Sequence, residues 1–364
     1  MMDDALPPST RKTVLARQTS GSVFLMATTL AHLSFAVNLI ATLDRQRVAS
    51  YVMMTPDPLL LRECAARGWS DFCCAAPLGA PHAHAHAHAQ KSLPPLPPPG
   101  EALAQHSPNY NRFTWERIRY IELVLRLGVG VVFLDTDSVF TDASPDSALI
   151  EPSTSVDLRI SCDNIAGPQT NPALSVWAPT AGAVALLQRW RALEPPAGRF
   201  GDMRGIKMLL RGRHGPAEVL RNESLAWGSL AVVAGGPYDG ETGHEDEGAR
   251  VAEVGEPRVS WRCLPLDEYC NCGGRAQRGI RKGVAKCRWV HMNCIASKAK
   301  VPMFKKLGLW FAGDEDEDDR HQQRAVLHDA QPAAENAADA SNHRDVASRR
   351  RVQRRGGVGL LSSG

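Results

Sequence analysis

The segment Leu127-Gly128-Val129-Gly130-Val131-Val132-Phe133-Leu134-Asp135-Thr136-Asp137 decides the fold. Val131 to Leu134 are apolar without a break. A strand with one wet face alternates apolar and polar residues, whereas a strand buried on both faces does not. Gly128 and Gly130 punctuate the run on its N-terminal side, and Asp135 and Asp137 close it. Open α/β sheets bind ligands beyond the carboxyl ends of their strands. Two carboxylates therefore stand where chemistry is expected.

Working outward, Phe113 to Leu127 places Ile118, Ile121 and Leu125 at helical spacing, ended by Gly128-Val129-Gly130. Val23 to Ala27 and Ala49 to Met54 read as buried strands. Between them Leu33, Val37, Ile40 and Leu43 recur on one helical face. Leu59 to Arg67 forms a short helix closed by Gly68. Downstream, Val156–Ser161 and Ala173–Trp177 read as strands, and Thr180–Leu193 and Met203–Leu210 as helices. Strand–helix alternation of this kind predicts a Rossmann-like α/β domain with a mostly parallel central sheet.

That domain is expected over residues 21–312, after a flexible arm at 1–20 and before a disordered charged tail at 313–364. An insertion rich in His/Ala and Pro interrupts it at 79–107. The alternating His82, His84, His86 and His88 read as a repeat, with no fixed geometry to make them a metal site. The proline run behind them reads as an extended spacer. Residues 234–257 read as a loop.

A net charge of +3 on 364 residues gives no electrostatic footprint for nucleic acid. The apolar stretch Val23–Leu43 contains His32, Ser34 and Asn38 and does not read as a membrane span. The N-terminus, with Asp3 and Asp4 ahead of any basic residue, does not read as a signal peptide. Nine cysteines, five of them at 263, 270, 272, 287 and 294, read as disulfides of an oxidising compartment or as a zinc site. Asn222-Glu223-Ser224 is a glycosylation sequon that fits a lumenal setting.

By itself Asp135-Thr136-Asp137 admits two chemistries. Carboxylates at i and i+2 past a strand can hold a hard divalent cation against a diphosphate. Four apolar residues followed by Asp135, Asp137 and Val139 also resemble the nucleophile loop of dehalogenase-type phosphotransferases, with Asp135 as nucleophile. That alternative needs a further acidic pair on a later loop. Gly201-Asp202 supplies only one acid.

Two separated blocks carry a family resemblance. The first is Leu127-Gly128…Val132 to Phe140, extended by Asp142 and Pro145; the second is His291-Met292-Asn293…Lys300…Phe304…Gly308-Leu309-Trp310. Together they resemble the plant and algal nucleotide-diphospho-sugar transferases of glycosyltransferase family 77, over residues 22 to 312. The resemblance implies a GT-A fold and transfer from a UDP-sugar to a glycan, polysaccharide or glycoprotein acceptor. It implies a metal-dependent reaction, retaining in outcome, using Mn²⁺ or Mg²⁺. It assigns Asp135, Asp137 and His291 to the metal and Lys300 to the diphosphate, with Asp135 also near the ribose. Thr28, Thr29 and Asp57, at the ends of the first two strands, would hold the nucleoside. Arg117 and Arg119, on the helix before the motif, read either as partners for phosphate or as surface arginines. Asp202 would lie by the reacting carbon, as the catalytic candidate. A Golgi or secretory location follows from the family.

The chain departs from the family at two places. Asn171-Pro172-Ala173 replaces Asn-x-Gly, and Asp202, Met203 and Lys207 stand where Asp-Gln followed by Asn is usual. A methionine cannot hydrogen-bond a sugar hydroxyl as glutamine does. The resemblance therefore also admits a sugar-nucleotide-binding relative without turnover.

Overall fold

The computed structural model describes residues 5–76, 107–141, 147–150, 156–162, 170–194, 201–210, 232–234, 259–265, 268–271, 287–293, 295 and 297–313. Most of the 79–107 insertion with its four histidines, most of the 234–257 loop, the sequon and the tail lie outside them.

The first element is a correction. Residues Pro8–Arg17, expected to be a flexible arm, form a helix, α1. Thr10 and Val14 are buried, and the Thr10 hydroxyl donates to Ala75 O at 2.7 Å. Arg17 donates to Ala49 O at 2.7 Å, pairs with Asp71, and lies over the Tyr51 and Phe72 rings. Thr10, Val14 and Arg17 hold the helix, and with a single buried apolar residue among them it shows no apolar stripe in the sequence.

Next come β1 (Ser22–Ala27), a 3-10 turn (Leu30–His32), α2 (Leu33–Arg45), β2 (Tyr51–Thr55), α3 (Pro58–Ala66) and β3 (Cys73–Ala75). The central pair is α4 (Pro108–Leu125) and β4 (Gly130–Leu134), followed by β5 (Ser138–Phe140), α5 (Ser147–Ile150), β6 (Leu158–Cys162) and β7 (Thr170–Trp177). The remainder is α6 (Ala181–Ala192), α7 (Asp202–Leu210), β8 (Val232–Ala234), β9 (Val259–Cys263), β10 (Tyr269–Asn271), β11 (Trp289–His291) and α8 (Ser297–Lys306). Ser107 caps α4 by accepting from Tyr110 N, with Pro108 in the first turn. Gly128, at φ +77°, turns the chain from α4 into β4.

Among the described residues eight strands form one sheet, in the order β3-β2-β1-β4-β7-β6-β9-β8. Only β7 runs against its neighbours. β4 is central and all five of its residues are buried, as its unbroken apolar run requires. Alternate side chains feed two cores. Val131 and Phe133 pack with Trp115, Ile118 and Trp190 of α4 and α6, while Val132 and Leu134 pack with Leu39 and Leu43 of α2. A smaller sheet, β10-β11-β5, packs with α8 through Val139, Val290, Met292 and Phe304.

The departure at Pro172 sits in β7, an interior strand where a missing N–H is normally excluded. The β6–β7 register shifts at Ile160/Ser161, so that the proline falls in a bulge. Asn171 Oδ1 accepts from Ala173 N at 3.1 Å across it.

Among the described residues six cysteines form disulfides, and Cys74 is a free, buried thiol. Cys263 joins Cys162, linking β9 to β6, and Cys270 joins Cys287. Cys64 joins Cys73, a pair outside the noted cluster. Cys272 and Cys294 lie outside the described residues.

Candidate active site

β4 delivers Asp135 and Asp137 to the carboxyl edge of the sheet. The turn that carries them is pinned from three sides. Asp135 N donates to Ala173 O of β7 at 2.8 Å, Ser138 Oγ donates to Asp135 O at 2.6 Å, and Met292 N donates to Asp137 O at 3.1 Å. The last bond extends the β5–β11 ladder, in which His291 lies opposite Ser138. That ladder brings a histidine distant in sequence beside the two acids.

His291 Nε2 lies 3.2 Å from Asp137 Oδ1 and 3.8 Å from Asp135 Oδ2. One ligand atom from each of Asp135, Asp137 and His291 falls within 4.8 Å of the others. The second oxygen of each acid is already engaged. Arg117 NH1 pairs with Asp135 Oδ1, and Lys300 Nζ, from α8, pairs with Asp137 Oδ2. Each carboxylate thus turns one oxygen inward. Burial alone would raise the Asp137 carboxyl, but His291 and Lys300 hold it well below the usual carboxylate range. Two carboxylate oxygens and one imidazole nitrogen make a donor set suited to a divalent cation of the Mn²⁺ type.

Thr28, Thr29 and Asp57, placed by the sequence at the nucleoside or as simple caps, have partners within the chain. Asp57 caps α3, accepting from Leu59 N at 2.9 Å and Leu60 N at 3.4 Å through Oδ1. Its Oδ2 accepts from Leu30 N at 2.9 Å. A carboxylate spent on three backbone donors is a structural cap. Thr28 is fully buried, and Thr29 faces His32 with Oγ1 and Nδ1 3.4 Å apart.

Asp202, expected by the reacting carbon, likewise has partners within the chain. It is 2% exposed at the N-terminus of α7 and pairs with Arg117 Nε. Its Oδ1 accepts from Met203 N at 2.8 Å. Arg117 stands between Asp202 and Asp135, so Asp202 lies behind the arginine and away from the metal-facing atoms. Burial works against the Arg117 charge, and the two aspartates more than offset it. Arg119, expected at phosphate, is buried and pairs with Glu116 of its own helix at 3.5 Å.

Two residues near the cluster were not singled out by the sequence. His32, in the turn after β1, is lowered by burial and feels the charges of Asp137 and Lys300. Tyr110, in the first turn of α4, is raised by burial and feels Arg117, Asp135, Asp137 and Asp202. Their positions, one beyond the end of β1 and one on the helix feeding β4, were the available signal.

The family described as nucleotide-diphospho-sugar transferase matches residues 83–304. The chain belongs to that family. The phosphotransferase alternative for Asp135 falls with this result. No curated protein matches the chain. Several solved structures do. One is a glycosyltransferase involved in glycosylation of the major capsid of PBCV-1, at 9% identity and TM-score 0.37, covering 78% of this chain and 99% of that one. Mouse xyloside xylosyltransferase 1 matches at 11% identity and TM-score 0.36, covering 75% and 98%. The galactosyltransferase LgtC, solved with donor and acceptor sugar analogs, matches at 10% identity and TM-score 0.38, covering 79% and 95%. This glycosyltransferase has a mostly parallel central sheet with one antiparallel strand, β7, beside the strand that carries its Asp-x-Asp. No helix among its described residues is long and apolar enough to cross a membrane.

Proposed function

We propose that this transferase moves a sugar from a UDP-sugar donor to a glycan, polysaccharide or glycoprotein acceptor, with Mn²⁺ held by Asp135, Asp137 and His291. The observation that carries the reading is the convergence of those three side chains from two sheets. A bound cation would neutralise the departing diphosphate as a Lewis acid. Imidazole in the set favours Mn²⁺ over Mg²⁺.

The chain's own residues supply the rest. Lys300 adds positive charge on the same wall, where a diphosphate requires it. Arg117, clamped by Asp202, holds Asp135 so that one oxygen stays turned inward. Asp202 thereby acts as a positioning residue. Transfer with retention breaks the bond from the sugar's anomeric carbon to the diphosphate and joins the acceptor oxygen on the same face. The acceptor proton leaves with the diphosphate. The three disulfides support a lumenal, Golgi or secretory setting. The closing His291…Lys300…Trp310 block supports placement with glycosyltransferase family 77.

Met203 favours a second reading. It follows Asp202 at the position where a glutamine is usual, and its thioether offers a sugar only a weak acceptor. A protein that binds the donor without transfer would follow. Hydrolysis of UDP-arabinofuranose, UDP-xylose and UDP-galactose with and without Mn²⁺ separates the two. Mn²⁺-dependent release of UDP from one donor is expected; silence across the panel from folded, donor-binding protein selects the inactive reading.

A further inference from the structure

We propose that Asn271 is the positioning residue that presents the Nε2 lone pair of His291 to the Asp135–Asp137 pair; the proposal rests on the metal-site reading above. Asn271 ends β10 and lies opposite His291 in the parallel β10–β11 ladder. Its Oδ1 lies 3.0 Å from His291 Nδ1, and both residues are buried. The orientation of the amide is set by its other partners. Asn271 Nδ2 faces Cys162 O and Ser161 Oγ, each at 3.4 Å. A carbonyl oxygen only accepts, so the amine must point to Cys162 and the amide oxygen to His291. An amide oxygen likewise only accepts, so Nδ1 carries the proton in neutral His291. Nε2 is then left without one, facing two carboxylate oxygens, which is the form a metal takes.

The support behind Asn271 is continuous. Ser161 Oγ donates to Asn171 O at 2.7 Å, and two residues on, Ala173 O accepts from Asp135 N. The same run of β6 and β7 thus braces the histidine side and the aspartate side of the cluster. Cys270, adjacent to Asn271, is bonded to Cys287, and Cys162, which accepts from Asn271, is bonded to Cys263. β10 is therefore tied at its own cysteine and against β6. Without Asn271, nothing described holds the proton on Nδ1, and the Nε2–H tautomer would donate to Asp137 in place of binding a cation.

The test uses the full chain with its disulfides intact. Mn²⁺ binding is read by the electron paramagnetic resonance of free Mn²⁺, without donor, in wild type, Asp137→Ala, Asn271→Leu and Asn271→Asp. Loss of a partner behind a ligating histidine lowers metal affinity by about 10- to 100-fold. That loss is expected for Asn271→Leu at unchanged circular dichroism, with Asn271→Asp, whose carboxylate still accepts from Nδ1–H, recovering most of it. In metal-free protein at mildly alkaline pH, the imidazole ¹⁵N spectrum, assigned with His291→Gln, should show the Nδ1–H tautomer in wild type and its loss in Asn271→Leu. If wild type and Asp137→Ala bind Mn²⁺ alike, the metal-site reading fails, while the tautomer spectrum still reports on Asn271. If Asp137→Ala loses the metal but Asn271→Leu binds it as wild type does with an unchanged spectrum, the proposal is overturned. Should Asn271→Leu misfold, the wild-type spectrum decides alone, and an Nε2–H tautomer there overturns the proposal.

Discussion

Arg117 meets two carboxylates with one guanidinium: Nε goes to Asp202 and NH1 to Asp135. A lysine presents a point charge and cannot span both. Arg117→Lys should therefore keep the fold yet weaken Mn²⁺ binding by about tenfold or more, as for other supports of metal ligands; titration of free Mn²⁺ checks it. Asp202→Ala leaves Arg117 buried with one partner, and breaking a buried pair costs about 3–5 kcal/mol; denaturant unfolding should show it. At this scale Asp135, Asp137, His291 and Lys300 were legible, since two separated motifs named them and the structure brings them together. The partners of Asp57 and Asp202 were not legible, for one reason. A sequence shows that an acid stands at a strand end or helix start, but not that backbone donors or an arginine already occupy its oxygens. Asn271 was missed because its short strand carries no periodic signal.

At the scale of elements, α7 carries Asp202 towards Arg117 by packing tightly on α4 and α6. A Cβ on Gly205 would come within 2.7 Å of the Trp115 ring and 2.9 Å of the Trp190 ring. Gly205→Leu should cost about 1–3 kcal/mol by overpacking, seen as a lower melting temperature. The end of α6 gives a pH dependence. Burial first, then Glu116, pushes the Glu194 carboxyl from an ordinary 4.5 up to about 7, against Arg191 and Arg112. The folded state holds that proton more tightly than the unfolded state. Its contribution to stability is complete below pH 4.5 and is lost as pH rises through about 7. Glu194→Gln should flatten that decline in melting temperature between acid and neutral pH; an identical slope in both proteins would refute the assignment. The buried strands and amphipathic helices of the main sheet were legible from periodicity. α1 and the short strands β10 and β11 were not, because tertiary contacts rather than local pattern hold them.

Across the whole molecule, the Cys162–Cys263 bond spans 101 positions and ties β6 to β9. Closing a loop of that length contributes up to about 5 kcal/mol by limiting the unfolded chain. Replacing both cysteines by alanine should lower the melting temperature well below wild type; an unchanged value would mean that the sheet closes without it. The central claim is that Asp135, Asp137 and His291 hold the cation through which the donor's diphosphate binds. Calorimetric titration of UDP tests it most directly, with Mn²⁺ and with EDTA, in wild type and Asp137→Ala. Binding by wild type that requires Mn²⁺, and its loss in Asp137→Ala, is the predicted result. Equal UDP affinity with and without Mn²⁺, or in both proteins, would contradict the account.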